Sequence, residues 1–194
     1  PWASALADPR QASAHTYADS PAVVPDGDAT AGVPPGAPVP NAPAVLLGPE
    51  GGGRPGHLHD ALPDQGFALL VFVDALDPER VAGLLAAPAL AGLPLEAVLV
   101  GPERGLVAAV PTAARRVADA DGALAGRFAT RAFPLCLVRP DEHVAARFRD
   151  ADAAAVAEAF GAALCRHSTE ARTAPPPPPL PDARAGALGR EGLE

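Results

Sequence analysis

Hydrophobic positions gather in a few short blocks separated by glycine, proline and aspartate. Phe67-Ala-Leu-Leu-Val-Phe-Val73 is apolar at every position and is bounded by Gly66 and Asp74. Such a run suits a strand covered on both faces, as in a central parallel sheet. Leu95-Glu-Ala-Val-Leu-Val100 predicts the next strand, closed by Gly101 and Pro102. Between them Asp77 caps a helix that starts at Pro78, with Val81, Leu84 and Leu85 as its buried stripe. The clearest pattern runs from Phe133 to Phe148. Leu135–Val138 forms one strand, Arg139-Pro-Asp-Glu142 a tight turn, and His143–Phe148 the returning strand.

The flanks fill in around these blocks. Ala44–Leu47 predicts a short strand, residues 48–56 a long glycine-rich turn, and His57–Leu62 a return strand. Val107–Val110 reads as a short extra strand, and Asp119–Phe128 as a short helix presenting Leu124 and Phe128. Asp150 or Asp152 caps a final helix with Val156, Phe160 and Leu164 at helical spacing. The order is strand, helix, strand, helix, antiparallel hairpin and closing helix. It predicts an α/β fold of thioredoxin-like type, a mixed sheet between helix layers, with the opening hairpin resembling the peroxiredoxin variant. Phe133-Pro134 then stands where such folds place a cis-proline.

Composition narrows the globular part. Of 194 residues, 25 are proline, concentrated at the two ends. Residues 1–43 read as an extended arm or linker from an upstream domain, 44–166 as the thioredoxin-like domain, and 167–194 as a disordered proline-rich tail. The arm holds Trp2 and Tyr17, the single tryptophan and tyrosine, and disordered chain is poor in aromatics. Those residues are expected to lie against a surface. A chain that starts at Pro1 and contains no methionine is expected to be a fragment of a longer product. A net charge of −8 argues against nucleic acid or an anionic membrane as partner. No apolar run is long enough to span a bilayer. Two cysteines make neither a disulfide framework nor a zinc site, which points to a reducing cytoplasm.

One stretch carries a family resemblance. Leu137-Val-Arg-Pro-Asp-Glu-His-Val-Ala-Ala-Arg147 closely resembles a signature of the FAD-dependent aromatic-ring hydroxylases. These flavoprotein monooxygenases are related to phenol and 3-(3-hydroxyphenyl)propionate hydroxylases, and the signature ends their C-terminal thioredoxin-like domain. Arg10-Gln-Ala-Ser with Tyr17-Ala-Asp-Ser-Pro21, Leu58-His-Asp60 before Gly66–Val71, and Leu95–Val100 fit in the family's order, so the resemblance spans about residues 10–166. Glu142 departs from an expected glycine or glutamine, and Phe133-Pro134 from a more polar pair. The resemblance implies a parent enzyme that uses FAD, NAD(P)H and dioxygen on a phenolic ring. Its partners would be the upstream FAD and substrate domains, with a homo-oligomer possible. Gly51-Gly-Gly-Arg-Pro-Gly56 lacks the spacing and context of a dinucleotide-binding turn. No catalytic, cofactor-binding or metal residue is therefore assigned to this chain.

Thioredoxin and peroxiredoxin reactions need a cysteine just after the central strand, where this chain has Asp74-Ala-Leu-Asp-Pro78. Cys136 reads as a buried strand residue and Cys165 as a helix-end thiol. His57 and His59 would share a strand face beside Asp60 as a metal pair, with a third ligand to come from His143 or a distant carboxylate; two surface histidines are the simpler reading. Arg139, Asp141 and Arg147 would either anchor a missing domain or pair across the hairpin. The 175–179 polyproline run resembles a polyproline ligand but reads more simply as a tail. Two other functions stay open: a free-standing thioredoxin-like redox or peroxidase protein, and an interaction module built on the proline-rich ends.

Overall fold

The computed structural model describes residues 15–27, 31–48, 52–108 and 114–165. Seven strands form one mixed sheet. They are β1 (Pro43–Leu47), β2 (Gly53–His57), β3 (Phe67–Phe72), β4 (Leu95–Gly101), β5 (Arg115–Ala118), β6 (Leu135–Val138) and β7 (Val144–Phe148). Their spatial order is β2-β1-β5-β4-β3-β6-β7. The helices are α1 (Pro78–Leu85), α2 (Glu103–Ala108), α3 (Ala123–Phe128) and α4 (Ala153–Ala163).

The expected central strand lies at the heart of the sheet. β3 runs parallel to β4 and antiparallel to β6, and all six of its residues are buried. Alternation divides its side chains between two layers. Leu69 and Val71 meet Val81 and Leu84 of α1, Leu106 of α2 and Val156 of α4. Ala68, Leu70 and Phe72 face the other way, toward Leu124 and Phe128 of α3, and the Phe72 and Phe128 rings lie 5.1 Å apart. Burial of each such valine, leucine or phenylalanine side chain contributes about 1.5–3 kcal/mol.

Residues 31–42, within the stretch expected as an arm, complete the second layer. Val33, Ala37, Val39 and Ala42 join the same cluster as Leu70 and Phe72. Backbone hydrogen bonds seal the arm along β7: Val24 N–H to Ala145 O (2.8 Å), Gly36 N–H to Val144 O (2.7 Å) and Val144 N–H to Ala37 O (2.9 Å). The outer edge of β7 is thereby paired rather than left open.

Several local expectations are corrected. The strand returning from β1 is Gly53–His57, of which residues 53–56 were expected as turn and only His57 as strand, while Leu58–Ala61 forms a 3-10 turn. Gly53 suits the pairing because a Cβ there would stand 2.3 Å from Val45 Cγ1. Residues 103–108 are helical, so Val107 begins no strand, and residues 109–110 lie outside the described ones. β5 was not anticipated: its first two residues are arginines, and only Val117 and Ala118 are buried. On α4 the buried positions are Val156, Ala159, Phe160 and Ala163, whereas Leu164 is 38% exposed. Asp152 caps that helix, accepting from Ala154 N (2.9 Å) and Ala155 N (3.2 Å). Asp77 occupies the N-cap of α1 without a side-chain bond. No peptide bond is cis among the described residues, so Phe133-Pro134 is trans.

Candidate functional site

The junction after β3 is where this fold could hold a reactive thiol. Here Asp74 and Asp77 are exposed, Leu76 turns into the core, and Pro78 starts α1. Across the sheet, the corresponding end of β4 leads into Pro102 and exposed Glu103. The ends of the parallel strands β3 and β4 thus present carboxylates rather than a glycine-rich turn. A flavin dinucleotide's pyrophosphate needs backbone N–H donors and no competing negative charge. These residues do not fit it.

The thiols stand elsewhere. Cys136 on β6 is 1% exposed and pairs in register with Leu70 and Arg147. Burial pushes its thiol up to about 12; the Arg147 guanidinium lowers it in part, and Asp26 raises it. A thiol held neutral this way is a poor nucleophile at physiological pH. Cys165 is exposed, at the end of α4.

The two histidines expected on one strand face are separated. His57 ends β2 and is exposed, whereas His59 lies in the 3-10 turn. The His59 ring contacts Val39 O through Nε2 (3.0 Å) and Glu142 Oε2 through Nδ1 (3.0 Å). His143 contacts Asp141 O (2.8 Å) and His15 O (3.3 Å). Among the described residues no three His, Cys, Asp or Glu side chains gather in a way that could hold a metal ion.

The signature residues carry structural contacts. Arg139 grips Asp141 within the turn, at 3.1 Å from Nε and 2.5 Å from Nη2. Arg147 reaches out of the hairpin into the arm. Its Nε donates to Asp26 Oδ2 at 2.6 Å, its Nη1 to Ala31 O, and its guanidinium lies 3.9 Å from the centre of the Phe133 ring. Arg149 approaches the same ring at 4.5 Å. The aspartate partner was not foreseen from sequence, since Asp26 sits in a stretch without periodicity.

A cleft of about 480 Å³ opens between the β1–β2 hairpin and the 3-10 turn, lined by Arg54, Asp60, Arg115 and Arg116 among others. Two of its arginines are engaged. Arg115 binds Glu96 (3.0 Å) and the carbonyls of Ala61 and Leu62, and Arg116 binds Gly48 O (2.9 Å). A second cleft of about 480 Å³ lies between the arm, β7 and α4. Trp2 and the 175–179 polyproline run lie outside the described residues.

Comparison with known proteins gives this geometry its context. The profile of the HcaD C-terminal domain family matches residues 50–163, more than half of the chain. None of the curated protein sequences matches. Among solved structures, aklavinone-11 hydroxylase in ternary complex with FAD and aklavinone is similar at 25% identity and a TM-score of 0.55, over 83% of this chain and 28% of that one. The flavin-dependent monooxygenase PieE, in complex with FAD and substrate, is similar at 24% identity and a TM-score of 0.53, over 79% of this chain and 26% of that one. The chain thus spans little more than a quarter of the length of either monooxygenase. Thioredoxin peroxidase I of Plasmodium yoelii shares the fold at 13% identity and a TM-score of 0.50, over 80% of this chain and 98% of that one. No described helix is long and apolar enough to cross a membrane. The chain belongs to the HcaD C-terminal domain family, a thioredoxin-like domain of the kind that ends flavin-dependent monooxygenases.

Proposed function

We propose that this chain is the catalytically silent C-terminal domain of a cytoplasmic FAD-dependent monooxygenase that hydroxylates a phenolic or related aromatic ring with NAD(P)H and dioxygen. Its work would be packing against the upstream FAD and substrate domains, or association between subunits. The observation that carries this reading is the family match over residues 50–163 on a scaffold whose thiol position holds Asp74–Pro78. The sealed Cys136 supports it, because peroxidase chemistry requires a thiolate that peroxide can reach. The FAD and NAD(P)H sites would belong to the upstream part of the parent protein.

The test begins with the reading frame upstream of the Pro1 codon. The product of that frame is expected to purify with bound flavin and to consume NAD(P)H in the presence of an aromatic substrate. The present chain alone should bind no flavin and reduce no peroxide. Peroxide reduction by this chain alone would favour the free-standing redox reading, and an upstream frame without a flavin-binding domain would remove the monooxygenase reading.

A further inference from the structure

Two imidazoles stand at the β6–β7 turn, each with an acceptor at both ring nitrogens. His59 lies in the 3-10 turn. Its Nε2 is 3.0 Å from Val39 O in the arm, and its Nδ1 is 3.0 Å from the Glu142 carboxylate in the turn. His143 follows Glu142. Its Nε2 is 3.3 Å from His15 O in the arm, its Nδ1 is 2.8 Å from Asp141 O, and Asp141 Oδ1 stands 3.7 Å from the same nitrogen. A carbonyl or carboxylate oxygen can only accept. A neutral imidazole has one N–H and one lone pair, so in either ring it would turn a lone pair toward an oxygen. The imidazolium donates at both nitrogens and satisfies every contact.

The backbone is shaped to the same end. Glu142 adopts φ +60°, a left-handed conformation that glycine occupies without penalty, yet it carries the carboxylate that reaches His59. Val39 N–H donates to Glu142 O at 2.8 Å, so arm, turn and histidine are joined at one place. His59 N–H also donates to Asn41 Oδ1 (3.3 Å), and the Tyr17 ring lies 5.0 Å from that of His143. The charged and titratable groups facing the two rings are Glu142 and Asp141, with Arg139 bound to Asp141, and Tyr17 from the arm. Asp60, next to His59, is occupied by His57 N–H.

We propose that His59 and His143 form a protonation-dependent latch that fastens the arm, at residues 15–17 and 39–41, to the signature hairpin. The latch is closed with both rings as imidazolium and loosens as they become neutral. Loss of one proton leaves each ring a single donor for its two acceptors, so the attachment is strongest on the acid side and weakens as pH rises.

The test is amide exchange on the full chain, expressed as protection factors corrected for intrinsic rates. Protection of the Gly36 and Val39 amides should fall by about tenfold as pH rises from about 5 to 8, the range in which an imidazole ordinarily changes charge, because each ring then loses a charge-assisted bond. The H59Q/H143Q variant, with side chains that do not titrate, should lose this pH dependence. E142Q should lose the His59 share of it. Equal pH dependence in wild type and H59Q/H143Q, or pH-independent protection in the wild type, would overturn the proposal. Imidazole nitrogen shifts in the wild-type chain give a readout that does not depend on a variant folding. Both nitrogens of each ring should be protonated at the acid end of the range, where protection is highest, and a ring already neutral there would also overturn it.

Discussion

Arg147 and Asp26 stand 121 residues apart in sequence and 2.6 Å apart in space, the guanidinium of the signature hairpin holding a carboxylate of the arm. The arginine side chain is 1% exposed and the aspartate 14%. The Phe133 ring closes over the guanidinium, so the charge is sealed between sheet and arm. Buried pairs add little net stability when intact, but removing one partner strands the other charge. Asp26→Ala is therefore expected to destabilise the fold by roughly 3 kcal/mol. Arg147→Met combined with Asp26→Ala should recover a large part of that loss, because no charge is left buried. Chemical denaturation of the two single variants and the double variant measures the coupling, and strictly additive losses would refute it.

The arm's entry also depends on one glycine. Gly36 has φ +85°, and a Cβ there would lie 2.6 Å from the backbone carbon of Tyr17. Gly27 has a similar φ of +74° but nothing within 4 Å of the added atom. Gly27→Ala should thus cost only the left-handed backbone term, about 1–2 kcal/mol. Gly36→Ala should cost more, because backbone must move. Thermal denaturation ranks the two, and limited proteolysis should cut Gly36→Ala within residues 15–42 first. Equal melting temperatures would show that the clash is relieved at no cost.

The two thiols should behave as opposites. Cys165 is exposed and Cys136 is buried, its thiol pushed up to about 12 chiefly by loss of water. A disulfide-exchange reagent at mildly alkaline pH is expected to titrate one thiol per folded chain and the second only on unfolding. The sign of the pH effect follows from linkage. The unfolded chain releases the Cys136 proton in the ordinary thiol range and the folded chain only near 12, so the folded form holds more protons between those values. Stability contributed by the neutral buried thiol is complete below the ordinary range and is lost as pH rises toward 12, by up to about 1.4 kcal/mol per pH unit. Cys136→Ala should flatten the alkaline limb of the stability curve; an unchanged slope would place its cause elsewhere.

How much of this could be read from sequence depends on what holds each element. β3, β4 and the β6–β7 hairpin are apolar runs that must be buried, so their patterns announce them. β2 and β5 have no such signature. Gly53–His57 is Gly-Arg-Pro-Gly-His, a strand because β1 offers it an edge, and Arg115 spends its polar end on Glu96 and two carbonyls. The placement of the arm was hidden for a related reason. Its attachment is mainly backbone bonds to β7 plus a few small apolar side chains, which proline- and alanine-rich composition does not distinguish from linker. Arg147 could be read as an ion-pairing residue, but its partner lay in a segment without periodicity.

α3 supplies a last test, because a buried carboxylate rather than its own N-cap residue starts it. Gly122 stands at the N-cap with φ +68° and has no side chain to offer. Asp119, 6% exposed, instead accepts from Leu124 N at 3.2 Å through Oδ1 and from Ala125 N at 2.9 Å through Oδ2. Those amides would otherwise be orphan donors at the start of a helix of only six residues. Leu124 and Phe128 on that helix close one face of the sheet, so the cap supports the core directly. Asp119→Ala should cost about 1–2 kcal/mol, at the upper end of measured caps because the amides are shielded from water. Asp119→Asn keeps one oxygen as acceptor, but its NH₂ group would face the second amide, so its loss should fall between wild type and Asp119→Ala. Denaturation midpoints read together with amide exchange at Leu124 and Ala125 decide it. If Asp119→Ala left both amides as protected as in the wild type, the helix would be held by Leu124 and Phe128 packing alone.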